Sequence, residues 1–451
     1  MTVCVFFPLT LCLLHRPVTA LLVYGSRAKI RLFPPLTDQG FHMTNTAAFD
    51  RVPATGSDFL TQLENLKQRF AAMKPEFEVT VRDPALGVEG HVVVWNTQIS
   101  AGGPLQFSGK GGTRITPNLT LDEVRMLART MALKNAAAGL PLGGAKSGLC
   151  ANSSMDGFET QYRRFVSLCK PFLHENGGVF GGFGFDIGGK PEHALWACDE
   201  LQSTRSFTGK PVHMGGTDYD REGIAGLGVA TAAKAFLDLN KNDIAATRFA
   251  VQGMGAMGAA VLRYFSEHGA QLASMADPKY GGTWVFEKPL SHDLRDALIR
   301  MDFDKATALL PMEGTLISVD AADVLYHDVD VVFPCAVQNV ITDENVGRIR
   351  ARLVVEGANG PVTESARLAL HDRGIMLIPD FIANPGGIIA AFVELTHEAG
   401  DKVAAAKSMT IAKITENVGR VVDLACLHNV APVQAGMYLA LSRIFDLKTV
   451  G

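Results

Sequence analysis

The sequence predicts an α/β protein of two domains, and three observations lead to this prediction. Its 451 residues are about three times a typical single-domain length of ~150. The hydrophobic content of 47% is enough for large packed cores and argues against disorder. From about residue 209 onward, helical patterns alternate with short apolar runs, which is typical of a parallel sheet covered by helices on both faces.

Charge, cysteine and histidine content exclude several classes of protein. The 46 acidic and 42 basic residues give a net charge of −4 without a long basic run, so neither a nucleic-acid nor a membrane partner is predicted. Seven scattered cysteines form no CxxC, which indicates reduced thiols in a cytoplasmic protein. The 12 histidines show no ligand spacing, so no metal site is predicted.

Residues 1–43 form an atypical N-terminal extension. Residues 1–14 are apolar but shorter than the ~20 residues that span a bilayer, and no basic start precedes them as in a secretory signal. Basic residues without an acidic one before Asp38 are compatible with a transit segment. The alternative interpretation is a start assigned too far upstream, with Met43 as the first residue.

The first domain is predicted over residues 44–208. Ser57 can cap a helix with an apolar stripe, and the capping box Thr120–Glu123 begins a second helix that runs to about Gly139. The other predicted elements are β-rich runs at 77–81 and 91–99, glycine-rich loops at 102–114, 141–148 and 177–189, and helical patterns at 157–173 and 191–203.

The second domain is predicted over residues 209–395. Its expected strands lie at 247–252, 271–276, 329–334, 352–356 and 375–379. After Asp380 the chain reads as helical, and residues 396–451 are predicted to form helices that pack back on the first domain.

A glycine-rich turn between the first two of these strands predicts dinucleotide binding. Gly253, Gly255 and Gly258 form GxGxxG between a β-run that ends at Gln252 and a helix that begins by Ala256. Such glycines allow close approach of a pyrophosphate to the helix N-terminus, and Met257 lies in the same turn. Asp277 ends the second β-run 19 residues after Gly258 and favours NAD through the ribose hydroxyls. Lys279 leaves NADP possible. The domain is therefore predicted to be Rossmann-like and doubly wound.

Six motifs in a fixed order add a family resemblance. They are GKGGTR (109–114), MALKNAAAGLPLGGAKSG (131–148), GFDIGG (184–189), GGTDYDREGIAGLG (215–228), VVEGANGP (354–361) and DFIANPGG (380–387). Together they resemble the glutamate/leucine/phenylalanine/valine dehydrogenase family over about residues 75–400, with the glutamate enzymes closest in kind. The resemblance implies NAD(P)-dependent oxidative deamination of an L-amino acid and a homo-oligomer, commonly a hexamer, built through the first domain.

The chemistry of such a reaction accounts for the residue types in these motifs. Reductive amination requires groups that hold a carboxylate, polarise a carbonyl and move protons to and from nitrogen, for which lysines of lowered pKa and an aspartate are suited. The resemblance implies that Lys134 binds the substrate α-carboxylate, that Lys146 activates water, and that Asp186 exchanges protons with the amino group. Without the motifs, Lys134 would only complement the helix dipole and Asp186 would be a turn former.

The substrate class depends on two positions that disagree. In the family, a lysine at the position of Lys110 contacts the side-chain carboxylate of glutamate. Glutamate enzymes also place a serine where this chain has Ala391, and Pro385 replaces the alanine of the adjoining motif. Glutamate is the favoured substrate. An apolar L-amino acid such as leucine, phenylalanine or valine is the alternative.

Further positions complete the predicted site. The resemblance places Asn384 on the substrate side and Ala336 and Asn359 on the cofactor side, and Ala225 stands where the family has a threonine near the nicotinamide. These departures leave open a catalytically weak nucleotide-binding homologue with a regulatory role. A hydroxy-acid dehydrogenase is the least favoured alternative, because no arginine–histidine pair stands out.

Overall fold

The computed structural model describes residues 56–397 and 400–445, and the predicted extension 1–43 lies outside them. The first part of the chain forms a five-stranded sheet, a separate two-stranded sheet and helices. Its elements are α1 (Gly56–Ala72), β1 (Phe77–Asp83), β2 (Val88–Val94), β3 (Gly109–Lys110), β4 (Thr113–Ile115), α2 (Leu121–Ala137), β5 (Gly143–Leu149), α3 (Phe158–Cys169), β6 (Phe183–Gly184), α4 (Pro191–Leu201) and β7 (Phe207–Thr208). Strands β6 and β7 form the separate two-stranded sheet.

The centre of the first sheet is β5, in a segment predicted to be a loop. It pairs antiparallel with β2 on one side and parallel with β3 and β4 on the other, while β1 continues the sheet beyond β2. The prediction was wrong because glycine here serves packing. A methyl group on Gly143 would stand 1.7 Å from the Asn96 carbonyl oxygen, and one on Gly144 2.2 Å from the Ala132 nitrogen. Only glycine therefore lets the backbone of α2 lie directly on the strand.

Two boundaries in this part also differ from the prediction. The strand predicted over 91–99 ends at Val94, because the Asn96 side chain replaces a backbone acceptor: its Oδ1 accepts a hydrogen bond from Gly144 N at 3.0 Å. Ser57 lies within helix α1 (Gly56–Ala72), whereas the sequence predicted it as the cap that precedes the helix. The capping box is confirmed, since Thr120 Oγ1 accepts a hydrogen bond from Glu123 N at 3.2 Å.

The second part of the chain forms a seven-stranded sheet with helices. Its elements are α5 (Ile224–Leu239), β8 (Arg248–Gln252), α6 (Ala256–Glu267), β9 (Gln271–Asp277), β10 (Gly282–Val285), α7 (His292–Ile299), α8 (Phe303–Glu313), β11 (Thr315–Ser318), β12 (Val331–Pro334), β13 (Leu353–Val355), α9 (Glu364–Asp372) and β14 (Met376–Ile378). The strand order is β11-β10-β9-β8-β12-β13-β14.

This sheet is mixed, whereas the sequence predicted a parallel one. Strands β9, β8, β12, β13 and β14 are mutually parallel, but β10 and β11 add an antiparallel edge. Each edge strand is only four residues long. Strand β11 is largely exposed, and the buried strand β10 begins with glycine and threonine, so neither shows the continuous apolar run that indicates a buried strand in sequence.

The C-terminal helices connect the two parts of the chain. They are α10 (Asp380–Ala383), α11 (Gly386–Thr396), α12 (Lys402–His428) and α13 (Pro432–Phe445). Helix α12 packs along α5 and α11, and α13 packs on α2. The buried Arg443 guanidinium in α13 donates hydrogen bonds to the carbonyl oxygens of Ala136 and Ala137 at 3.0 and 2.9 Å, and so fixes the end of α2. Among the described helices, none alone has the length and apolarity to cross a membrane. Helices α12 and α13 reach that length and apolarity only as a pair, and their axes are bent by 115° relative to each other.

Candidate active site

The first feature of the site is an ion pair between Lys146 and Asp186. Lys146 projects from the middle of β5, and its Nζ lies 2.5 Å from Asp186 Oδ2 in the loop after β6. Arg114 in β4 contacts the same carboxylate, with Nε 3.2 Å from Oδ2, and its Nη1 lies 2.8 Å from Glu123 Oε1. The central strand and its parallel neighbour thus position both predicted catalytic residues, which are brought together as the sequence indicated.

Opposing effects set the protonation states of this pair. Burial raises the pKa of Asp186, but Lys146, the Ile187 amide and Arg114 outweigh burial, so the net pKa is below the usual range. Burial lowers the pKa of Lys146, and the pairing with Asp186 only partly opposes that shift. The carboxylate is therefore ionised at neutral pH, next to an ammonium that gives up its proton more easily than an exposed lysine.

A second contact joins the two parts of the chain. Lys134 lies in the last turn of α2, and its Nζ donates a hydrogen bond to Asn359 Oδ1 at 2.9 Å. Asn384 Nδ2 donates to the same oxygen at 3.3 Å and to the Gly357 carbonyl oxygen at 3.1 Å. Burial lowers the pKa of Lys134. Three predicted residues, two of them substrate-side and one cofactor-side, therefore meet across the cleft.

Lys110 is more deeply buried than the other lysines of the motifs. Its Nζ donates hydrogen bonds to the carbonyl oxygens of Gly111 and Phe183 at 2.7 and 2.8 Å. Burial is the main cause that lowers its pKa to about 7; Glu394 opposes the shift, and Lys146 and Lys210 add to it. Ala391 on α11 is 8% exposed and offers only a methyl group. Pro385 stands directly before that helix.

The glycine-rich turn fits a dinucleotide. Gly253 has φ 86°, and a methyl group on it would stand 2.7 Å from Ala336 Cα; one on Gly258 would stand 1.9 Å from the Gly253 carbonyl oxygen. A methyl group on Gly255, by contrast, would have no atom within 4 Å, and no side chain caps the N-terminus of α6 at this residue. The first and last glycines thus serve the turn itself, while the middle one leaves open space where a pyrophosphate can approach the amides.

The remaining predicted cofactor residues surround this turn. The Asp277 carboxylate accepts hydrogen bonds from Met254 N at 2.8 Å and Lys279 N at 2.9 Å, which leaves further acceptor capacity for a ribose. The other predicted positions are Ala256, the first residue of α6, Met257, whose Cγ faces Gly357, and Ala225 in α5, which lies against Gly386.

The three glycines allow a matched test of cofactor binding. We expect Gly255→Ala to weaken NADH binding at least tenfold while it leaves the melting temperature within about 1 °C, because the added methyl group occupies only the open space. Gly258→Ala is expected to lower the melting temperature by several degrees, because its methyl group collides with backbone. Fluorescence titration and thermal unfolding measure both effects. Unchanged NADH affinity in Gly255→Ala would contradict the assignment.

The comparisons with known proteins follow the same division of the chain. Residues 75–203 match the dimerisation domain of the Glu/Leu/Phe/Val dehydrogenases. Residues 215–450 match the domain described as Glutamate/Leucine/Phenylalanine/Valine dehydrogenase. The chain belongs to this family. The predicted resemblance is therefore confirmed, together with the two-domain α/β fold with a Rossmann-like domain and the prediction of an amino acid dehydrogenase.

Individual members of the Glu/Leu/Phe/Val dehydrogenase family show the extent of the similarity. An NADP(+)-dependent glutamate dehydrogenase of Pyrobaculum calidifontis is 34% identical over 63% of this chain and 68% of its own length. The NAD-specific glutamate dehydrogenase A of Halobacterium salinarum is 33% identical over 73% of this chain and 75% of its own. The solved glutamate dehydrogenase 2 of Plasmodium falciparum shares the fold, with a TM-score of 0.72 at 18% identity over 89% of this chain and 90% of its own.

A buried cluster that supports the dehydrogenase site was not predicted. Glu394 in α11 accepts hydrogen bonds from Gly209 N, Thr217 N, Thr217 Oγ1 and Lys210 Nζ at 2.6–3.1 Å, and its side chain is fully buried. A single acidic residue within the apolar run IIAAFVELT is the sequence signal that could have found it. Arg114 was also missed, although it lies inside the motif GKGGTR.

A cavity of about 610 Å³ opens beside the Lys146–Asp186 pair. Asp186 and Phe185 line it from the first domain, together with Gly209 and the segment before α5. The cavity therefore gives the ionised carboxylate direct access to a bound small molecule.

Proposed function

We propose that this dehydrogenase catalyses the oxidative deamination of L-glutamate to its 2-oxo acid and ammonia, and the reverse reductive amination. The cofactor is NAD, with NADP possible, as in the names of its NAD-specific and NADP-dependent relatives. The observation that carries the proposal is the 2.5 Å contact of Lys146 with an ionised Asp186, close to the ammonium of Lys134. Such a group of side chains can hold a carboxylate and move protons at one carbon atom.

Each of these side chains has a distinct task in the proposed mechanism. The Lys134 ammonium binds the α-carboxylate, with Asn384 beside it, and thereby fixes the amino group relative to Asp186. The Asp186 carboxylate accepts a proton from the substrate ammonium. Lys146, whose pKa burial lowers, first loses its proton to solvent and then, as the neutral amine, accepts a proton from water as that water attacks the imine carbon. Arg114 keeps the carboxylate in place and ionised.

The cofactor is proposed to lie along the second domain. Gly253, Gly255, Ala256, Met257 and Gly258 would hold its pyrophosphate, Asp277 a ribose, and Ala225, Ala336 and Asn359 the nicotinamide end. When bound, the nicotinamide accepts a hydride from the substrate Cα or returns it. Closure of the cleft would exclude water from this transfer.

The assembly and location of the enzyme are part of the proposal. We infer a cytoplasmic homo-oligomer, a hexamer built through residues 44–208, with residues 209–395 as the cofactor domain and 396–451 as helices that return to the first domain. Two observations support oligomerisation: residues 75–203 match a dimerisation domain, and a similar solved structure is a hetero-hexameric glutamate dehydrogenase of Thermus thermophilus, with a TM-score of 0.65 at 23% identity over 87% of this chain and 97% of its own. Light scattering of the purified protein tests the hexamer.

A substrate panel tests the proposed function. Purified protein is assayed with ammonia, each reduced nicotinamide and a series of 2-oxo acids that differ only at the side chain. We expect the highest kcat/KM with 2-oxoglutarate. Preference for an apolar 2-oxo acid would favour the leucine, phenylalanine and valine branch, to which the methyl group of Ala391 is suited. Cofactor binding without turnover of any substrate would favour a regulatory homologue.

The lowered pKa of Lys110 predicts a pH-dependent substrate preference. Lys110 loses its charge as the pH rises through about 7, so its attraction for a second carboxylate fades above that value. We expect the ratio of kcat/KM for 2-oxoglutarate to that for 2-oxopentanoate to fall by about tenfold per pH unit between about pH 7 and 9. In Lys110→Met the ratio should be low and independent of pH. A constant ratio in the unmodified enzyme would contradict this role.

A further inference from the structure

Tyr219 forms part of the cavity wall and takes no part in the mechanism proposed above. It lies in the segment between β7 and α5 and lines the cavity with Phe185, Asp186 and Gly209. Its ring packs against an apolar cluster of α5, α11 and α12 residues, namely Ile224, Ala390, Val393 and Ala406. These contacts fix the ring and hence the direction of its hydroxyl group.

The hydroxyl group of Tyr219 is available for a ligand. A methyl group on Gly209 would stand 2.9 Å from it, so glycine at that position leaves the space in front of the hydroxyl open. Within residues 56–397 and 400–445, this hydroxyl makes no hydrogen bond to protein. Burial, with Asp220, Glu394 and Asp186, raises its pKa, so the phenol stays protonated and can donate. A polar atom in such surroundings gains most from a partner that a ligand supplies.

Two other donors lie near Gly184, the residue before Phe185 in the cavity wall. Thr208 precedes Gly209 and pairs with Gly184 in the ladder of β6 and β7. A methyl group on Gly184 would stand 2.9 Å from Thr208 Oγ1 and 3.2 Å from Lys110 Nζ, so both donors border the space in front of Gly184. Lys110 has a third proton beyond those given to two carbonyl oxygens, and the Thr208 hydroxyl makes only a long bond of 3.4 Å.

The ring of Tyr219 also lies on the side of α11 that carries Ala391. A methyl group on Gly387 would stand 3.9 Å from the ring, and Ala391 follows one helical turn later on the same face. This face of the helix offers no polar side-chain atom at those two positions. This face of the helix therefore leaves the distal end of a bound substrate to donors on other elements, such as the Tyr219 hydroxyl.

We propose that Tyr219 is a specificity-determining residue whose hydroxyl donates a hydrogen bond to the side-chain carboxylate of a dicarboxylic substrate, together with Lys110. The assignment rests on the proposed function, because it requires a substrate with a second carboxylate. A carboxylate is the ligand class that the three donors favour, since each can donate a hydrogen bond to it and none needs to accept one.

Tyr219→Phe tests this role, because it removes one oxygen atom and keeps the packing of the ring. We expect kcat/KM for 2-oxoglutarate with ammonia to fall about 10- to 100-fold, mainly through KM, and kcat/KM for 2-oxopentanoate to change less than about twofold. Tyr326→Phe, which removes a phenol hydroxyl outside the site, is the matched control and should leave both values unchanged. Thermal unfolding establishes that the variants are folded.

The outcomes separate this inference from the proposed function. Equal losses with both 2-oxo acids, or no loss with either, would overturn the role of Tyr219 while an enzyme active on 2-oxoglutarate keeps the proposed function intact. An unmodified enzyme that does not accept 2-oxoglutarate would instead contradict the proposed substrate, and the role of Tyr219 would fall with it.

Discussion

Replacement of Asp186 by asparagine is expected to lower kcat by about 10² to 10⁴-fold with the preferred amino acid. The amide retains the size of the carboxylate but cannot accept a proton, and it leaves Lys146 without its partner at 2.5 Å. Lys146→Ala is expected to lower kcat to a similar degree, because it removes the base that acts on water. Steady-state reduction of NAD, followed by absorbance, measures both effects.

Two controls keep these variants interpretable. NADH binding should stay close to that of the unmodified enzyme, because neither side chain is proposed to hold the cofactor, and thermal unfolding establishes that the variants are folded. Asp199→Asn, which removes a carboxylate from an exposed ion pair with Arg163, should not change kcat. Activity of both site variants within tenfold of the unmodified enzyme would discard the proton-transfer roles.

Replacement of Glu394 by alanine is expected to lower the free energy of unfolding by about 3–5 kcal/mol. The change leaves the ammonium of Lys210, which is 2% exposed, buried without its counter-charge, and it removes the acceptor for three further donors, Gly209 N, Thr217 N and Thr217 Oγ1. Urea or thermal unfolding at a fixed protein concentration measures the loss.

An exposed ion pair gives the matched comparison for Glu394. Asp238→Ala breaks a contact of 2.5 Å with Lys234 on the surface of α5 and is expected to lower the free energy of unfolding by less than about 0.5 kcal/mol. Losses of equal size in the two variants would show that burial of the Glu394 cluster does not determine its importance.

The sequence predicted those elements that carry a strong local signal. The capping box at Thr120, the turn from β8 into α6 and the parallel strands β12 to β14 are buried or capped in ways that leave a periodic pattern. Strand β5 was missed because its residues GGAKSGL have low strand propensity, and its place depends on tertiary contacts with α2 and β2.

In the site too, residues that lie in motifs could be predicted from the sequence, whereas contacts between distant segments could not. The motifs predicted Lys134, Lys146 and Asp186 as site residues, and the fold brings these three residues close together. The motifs could not reveal that Arg114 shares the Asp186 carboxylate or that Glu394 binds Lys210, since these partners are 72 and 184 residues apart in sequence. Such contacts follow from sheet order and helix packing, which no single segment encodes.

In the proposed mechanism, the hydrogen bond from Lys134 to Asn359 affects how the enzyme exchanges substrate and product. A substrate carboxylate that binds Lys134 replaces the amide oxygen of Asn359 as hydrogen-bond acceptor. The net gain in binding free energy is therefore the difference between the bond to the carboxylate and the bond to the amide. When the product leaves, the ammonium of Lys134 donates its hydrogen bond to Asn359 again. Moderate retention of both molecules follows, which suits a catalyst of a reversible reaction.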